Sequence, residues 1–173
     1  MKPQTLVLAA SLATALILSA AAARAGGSVT ATASVSVTIL APVTLQATQG
    51  LDFGAVTRPG NAAANTITLD PASSNVTLSG AGDGARAAGA VSPAKFSLVG
   101  EAGVTYSTTQ SLTFAQPGLT RVSVSAPVAG NGSLGVIPAA GVQELRFGGA
   151  FDLNAATPAQ AYAGSLTVTV NYN

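Results

Sequence analysis

Six carboxylates, Asp52, Asp70, Asp83, Glu101, Glu144 and Asp152, are the only acidic side chains with which this sequence can do general acid–base work near neutral pH. It contains no histidine and no cysteine, which removes imidazole bases, thiolate nucleophiles and the common zinc and copper ligand sets. What remains is paired-carboxylate chemistry of the glycoside-hydrolase kind, which needs two acids held about 5–10 Å apart. These six are far apart along the chain, so solvated or turn-capping carboxylates are the plainer reading. No enzymatic activity, no catalytic residue, no metal and no cofactor are expected.

The other candidate motifs are weaker. Gly80-Ala81-Gly82-Asp83-Gly84 resembles a phosphate or calcium loop in composition only. A phosphate loop has a helix N-terminus behind it, and a calcium loop offers several oxygen ligands where this one has a single carboxylate. It reads as a surface loop. Asn75-Val76-Thr77 and Asn131-Gly132-Ser133 match the glycosylation sequon, a three-residue pattern common by chance. Tyr106, Tyr162 and Tyr172 make a sugar platform only if exposed together, and half-buried strand tyrosines with hydroxyls at the rim are the commoner case.

The elements that must carry these residues are strands. From Ser28 to Ile39 apolar and hydroxyl residues alternate without a slip, placing Val29, Ala31, Ala33, Val35, Val37 and Ile39 on one face. The run has no Pro, Lys or inward charge to protect an edge, so it is expected to be paired in the working protein. Its thirteen residues from Ser28 to Leu40 span roughly 43 Å when extended, long enough to protrude or to cross between sheets. Further short strands are expected at Val43 to Ala47, Leu51 to Val56, Asn65 to Leu69, Asn75 to Leu78, Lys95 to Val99, Val104 to Thr108, Ser111 to Phe114, Leu119 to Ser125, Val142 to Leu153 and Ser165 to Tyr172. Within the Val142 to Leu153 segment, Phe147-Gly148-Gly149-Ala150 marks a bulge, a bend or a close backbone approach. About ten strands with no amphipathic helical stretch predict an all-β, antiparallel, immunoglobulin-like β-sandwich, with a closed barrel as the alternative.

The first 25 residues read as a signal peptide, with Lys2 in the basic region, an apolar core from Leu6 to Leu18 and Ala23-Arg24-Ala25 as the cleavage pattern. Residues 26–173 then form one domain. Five cations, Arg58, Arg86, Lys95, Arg121 and Arg146, remain against six acids, a mature charge of −1. They are scattered, which argues against a nucleic-acid partner. No long apolar run follows the leader, so no integral membrane span is expected after cleavage. Only 8% of the chain is charged, far below the roughly 25% of ordinary domains, so hydroxyl and amide side chains must solvate a surface suited to close lateral contact. Without cysteine, an exported chain of this kind relies on its packed core alone.

Taken in order, the alternating start Val29 to Ile39, Leu51-Asp52-Phe53-Gly54, Gly103-Val104-Thr105-Tyr106 after Phe96-Ser97-Leu98-Val99-Gly100, and the ending from Tyr162 to Asn173 resemble the bacterial family catalogued as domain of unknown function 4402. More distantly the chain resembles spore-coat-U-like proteins and chaperone–usher pilins. The pilin side of that resemblance implies assembly by strand addition, in which a periplasmic chaperone and then the next subunit complete an unfinished sandwich. It makes Val29, Ala31, Ala33, Val35 and Val37 the candidate donor strand, and Leu166, Val168, Val170 and Tyr172 the strand that faces the chaperone or accepts the donor.

Two functions are therefore expected in turn. The first is a non-enzymatic structural subunit of a surface fibre or coat, exported to the periplasm, outer surface or medium and self-associating by strand addition. The second is a self-complete periplasmic or secreted module that binds carbohydrate or protein. Whether the first run pairs within its own molecule or with the next is the question that divides them.

Overall fold

The computed structural model describes residues 30–173, and among them ten strands and no helix build antiparallel sheets. The strands are β1 (Thr44–Gln49), β2 (Asn65–Leu69), β3 (Val76–Gly80), β4 (Ala94–Val99), β5 (Tyr106–Phe114), β6 (Thr120–Val124), β7 (Val128–Ala129), β8 (Val142–Phe147), β9 (Gly149–Leu153) and β10 (Gly164–Tyr172). One sheet has the order β1-β4-β8-β7, a second β3-β2-β9-β6, and a two-stranded ladder joins β10 to β5. The compact unit they form begins at Ile39.

Period-two alternation decides which residues are inside. On β2, Asn65, Ile67 and Leu69 are buried, while on β4 Ala94, Phe96 and Leu98 are buried, with partly exposed residues between them. The inward faces collect in two clusters. Ala94, Phe96, Leu98, Tyr106, Ile137, Leu145 and Phe147 form one, and Phe53, Ile67, Leu69, Phe151 and Leu153 form the other. Phe53 and Phe114 each meet Phe151 edge to face at 5.0 and 5.7 Å between ring centres, the arrangement favoured by aromatic quadrupoles.

The paired glycines do what a bend requires. β8 and β9 are separated by Gly148 alone, yet β8 lies in the sheet of β4 and β9 in the sheet of β2. A Cβ on Gly148 would run into the carbonyl oxygen of Leu69, so only glycine lets the chain cross there.

Elsewhere the strands differ from the sequence expectation in instructive ways. Val104 to Thr108 and Ser111 to Phe114 merge into one nine-residue strand, β5, because β10 pairs with it along its whole length, Gly164 with Phe114 through to Tyr172 with Tyr106. Leu51 to Val56 is not a strand. It makes only single bridges, Asp52 to Ser92 and Val56 to Arg86, because Gly54 takes a φ of 72° in its middle. β7, two residues long, is too short to leave a periodic signal.

Residues 30–43 belong to no strand, although their sequence alternates. Alternation fixes which side chains share a face, but a strand also needs a partner's backbone groups. Ala31, Ala33, Val35 and Val37 are all exposed. Val29 and the expected leader, residues 1–25, lie outside the described residues. Among those residues no helix is long and apolar enough to cross a membrane.

Candidate strand-docking site

β10 presents two different edges, and the hydrogen bonds at its ends tell them apart. The Ala115 amide donates to the Ala163 carbonyl and the Asn173 amide to the Thr105 carbonyl, at 2.8 and 3.1 Å. Together with the unbroken register, this places Ser165, Thr167, Thr169 and Asn171 at the hydrogen-bonded positions facing β5. The amides and carbonyls of Leu166, Val168 and Val170 must then point away from β5, and among the described residues no strand pairs with that edge. The same residues carry the apolar side chains. β10 is therefore a strand whose unpaired backbone and whose core-facing side chains belong to one set of residues.

Those side chains are incompletely covered. Leu166, Val168, Val170 and Tyr172 are half-buried, as are Thr108, Gln110, Leu112 and Phe114 on the inward face of β5. The inward residues of β2 and β4 are fully buried. Gln110 adds a polar sign of the same deficiency, since its Oε1 is buried and has no hydrogen-bond partner among the described residues. Buried carbonyl oxygens rarely stay orphaned in a finished interior.

A cavity of about 1300 Å³ opens beside the start of β10. Its rims are residues 47–58, running from β1 past Gly54, and residues 157–164 leading into β10; Phe96, Leu112, Phe114, Phe151 and Leu166 wall it. The volume exceeds the roughly 300–1,000 Å³ of small-molecule pockets. The other end of β10 is closed. There the start of β1 comes close to Tyr172, since Thr44 pairs with Val99 next to Gly100, and Val43 and Leu45 pack on the same core cluster as Leu166, Val168, Val170 and Tyr172. The Tyr172 hydroxyl donates to the Ala41 carbonyl at 3.3 Å and accepts from the Glu101 amide at 3.2 Å. Gly100 makes room for that hydroxyl, which a Cβ there would strike. The seam beside β10 is thus a wedge, shut at Tyr172 and open at Gly164.

The other sequence candidates occupy structural positions. Asp52 accepts from the Gly54 amide at 2.8 Å. Asp70 accepts from the Ser73 hydroxyl and the Ala72 amide, and these bonds hold its carboxyl below the usual range. Asp83 accepts from the Asn61 and Gly60 amides, which lower it likewise. Asp152 accepts from Thr66 at 2.6 Å and pairs with Arg121 at 3.4 Å, and Glu144 pairs with Arg146 at 2.6 Å. No group of three or more acids that could hold a metal occurs among the described residues. Tyr106 and Tyr172 lie opposite each other on the β5–β10 ladder, but Tyr106 is buried. Tyr162 instead packs against Phe114 and donates to the Pro158 carbonyl.

Two buried amides escaped the sequence reading. Asn65 accepts from the Gly84 amide and donates to the Ser79 and Gly82 carbonyls, tying down the glycine-rich loop. Gln143 accepts from the Tyr106 hydroxyl at 2.6 Å and donates to the Asn131 and Ser133 carbonyls. The only sequence signal for either is a polar residue in a position whose i+2 neighbours are apolar.

A family model described as Domain of unknown function (DUF4402) matches residues 43–172. No curated protein and no solved structure matches the chain.

Proposed function

We propose that this chain, which belongs to the DUF4402 family, is an exported, non-enzymatic structural subunit of a bacterial surface fibre or coat, built as an immunoglobulin-like sandwich and assembled by strand addition. The sandwich reading puts β1, β4, β8 and β7 in one layer and the remaining strands in the other, with Gly148 as the point where the chain changes layer. The observation that carries the function is β10. Its outer edge has unpaired backbone and half-buried Leu166, Val168, Val170 and Tyr172 beside a large apolar cavity, and an added strand would satisfy all of these at once.

The occupant is the alternating run of a second copy. Val35 and Val37 are 93% and 82% exposed and Ile39 is 89% exposed, an apolar face that soluble monomers seldom leave bare. Main-chain bonds to β10 supply affinity, and the side-chain period of two sets register. A periplasmic chaperone that lends a strand to the same edge before assembly fits this reading.

The test is the exported fraction of the intact gene product, run on a denaturing gel with and without boiling. A ladder that boiling collapses, and that disappears when residues 26–38 are deleted, is the expected result. Multimers that survive the deletion would refute the donor assignment. A second reading, a self-complete secreted or periplasmic module that binds carbohydrate or protein, draws support from the cavity alone. It predicts a single monomer band with or without the deletion, and saturable binding on a glycan or protein panel.

A further inference from the structure

The wedge shape of the seam says which residues enter it, in which direction, and from which molecule. This inference rests on the strand-addition reading and refines it. The cavity lies at the Gly164–Leu166 end of β10, where bulk is needed, while the Tyr172 end is closed by the Ala41 carbonyl and Gly100 around the Tyr172 hydroxyl. The inward face of the run grows in the opposite sense, from Ala31 and Ala33 to Val35, Val37 and Ile39. Large must meet small for facing positions to interdigitate.

We infer that the run of a second copy adds antiparallel to β10, with Ile39 opposite Gly164, Val37 opposite Leu166, Val35 opposite Val168 and Ala31 opposite Tyr172. In this register each inward donor residue faces a β10 residue whose backbone points to the free edge, so side chains and hydrogen bonds are satisfied by the same pairs. A slip by one residue turns the Ser and Thr face inward.

The tether at Ala41 excludes the same molecule. Its carbonyl is held by Tyr172 at the shut end. Fully extended, Val37 reaches about 14 Å from Ala41 and Ile39 about 7 Å. Leu166, six positions along β10 from Tyr172, lies about 20 Å away. Val37 and Ile39, two of the three bulkiest residues on the run's inward face, therefore serve a neighbour's cavity. A run folded back on its own domain would lie parallel to β10 and offer alanines to the widest part of the seam.

The absence of cysteine gives a clean test in the full chain with its leader. Two versions are co-expressed under different tags, one Val37→Cys and the other Leu166→Cys. The pair is expected to give a disulfide-linked species carrying both tags, at least about fivefold stronger than with Ala31→Cys in place of Val37→Cys, because bridged residues need Cα atoms within about 7 Å. A single chain carrying Val35→Cys and Leu166→Cys, the pair that a fold-back from Ala41 would bring level, is expected to form no internal disulfide. An internal disulfide there, or a stronger cross-link from Ala31→Cys, overturns the inference.

Val37 is exposed, so Val37→Lys leaves the subunit folded and is expected to abolish the boiling-sensitive ladder, whereas Thr38→Lys on the opposite face keeps it. A ladder that survives Val37→Lys contradicts the anchor assignment. If the cysteine-free parent forms no ladder at all, the strand-addition reading itself fails. If the ladder forms and the cross-link appears elsewhere, only the register and direction fail.

Discussion

Tyr106 is buried to 3% exposure, and its hydroxyl is spent on Gln143, whose amide in turn holds the carbonyls of Asn131 and Ser133. Tyr106→Phe leaves Gln143 Oε1 without its donor and is expected to cost about 1–3 kcal/mol in urea unfolding at neutral pH. Burial also raises the Tyr106 pKa, so the folded state prefers the neutral phenol. Its contribution is complete below the unfolded value of about 10 and is lost as pH rises from there through the higher folded value. The gap between parent and variant should therefore narrow above pH 10 or so. Asp83 gives the opposite limb. Its pKa is lowered by the Asn61 and Gly60 amides, so what it contributes is present above the unfolded value of about 3.9 and lost as pH falls through the folded one. Asp83→Asn should lower the melting temperature at neutral pH, with the difference from parent closing toward pH 2. A difference that is constant with pH would mean the carboxylate's charge has no part in holding the loop. None of this was legible in the sequence, because Tyr106 and Gln143, or Asp83 and Gly60, meet only through the fold.

At the scale of elements, the sequence spoke clearly wherever alternation and turn residues agreed. Asn65 to Leu69 appears with the bounds expected, and the last strand begins one residue before Ser165. The double glycine after Phe147 announced an irregularity, and the structure makes it the crossing between sheets. Gly148→Ala drives a methyl group into the Leu69 carbonyl and is expected to destabilise by about 3 kcal/mol, read from the denaturation midpoint. An unchanged midpoint would mean the crossing relaxes at no cost. Leu51 to Val56 misled because its apolar residues imitate a strand while Gly54 breaks the ladder. Residues 30–39 show the complementary limit, since perfect alternation there has produced no strand in the absence of a partner. On β10 the two faces offer a neighbour different side chains. Val168→Lys puts a charge on the half-buried face and should abolish multimers, whereas Thr169→Lys on the exposed face should leave them intact. Equal effects from the two would show that the inward face of β10 is not the contact.

For the molecule as a whole, the β architecture and the family could be read from the chain, but the wedge beside β10 could not. It arises where Gly54 diverts the chain after β1 and where Tyr172 closes on Ala41, contacts that join residues distant in sequence. Amide hydrogen exchange addresses that unpaired edge residue by residue in monomer and assembly. In the monomer, the amides of Thr167 and Thr169 should be protected by β5 while those of Leu166, Val168 and Val170 exchange freely. On assembly, Leu166, Val168 and Val170 should become protected as well, erasing the alternation. If those three amides exchange as fast in the multimer as in the monomer, no strand has been added to β10 and the subunit does not assemble through that edge.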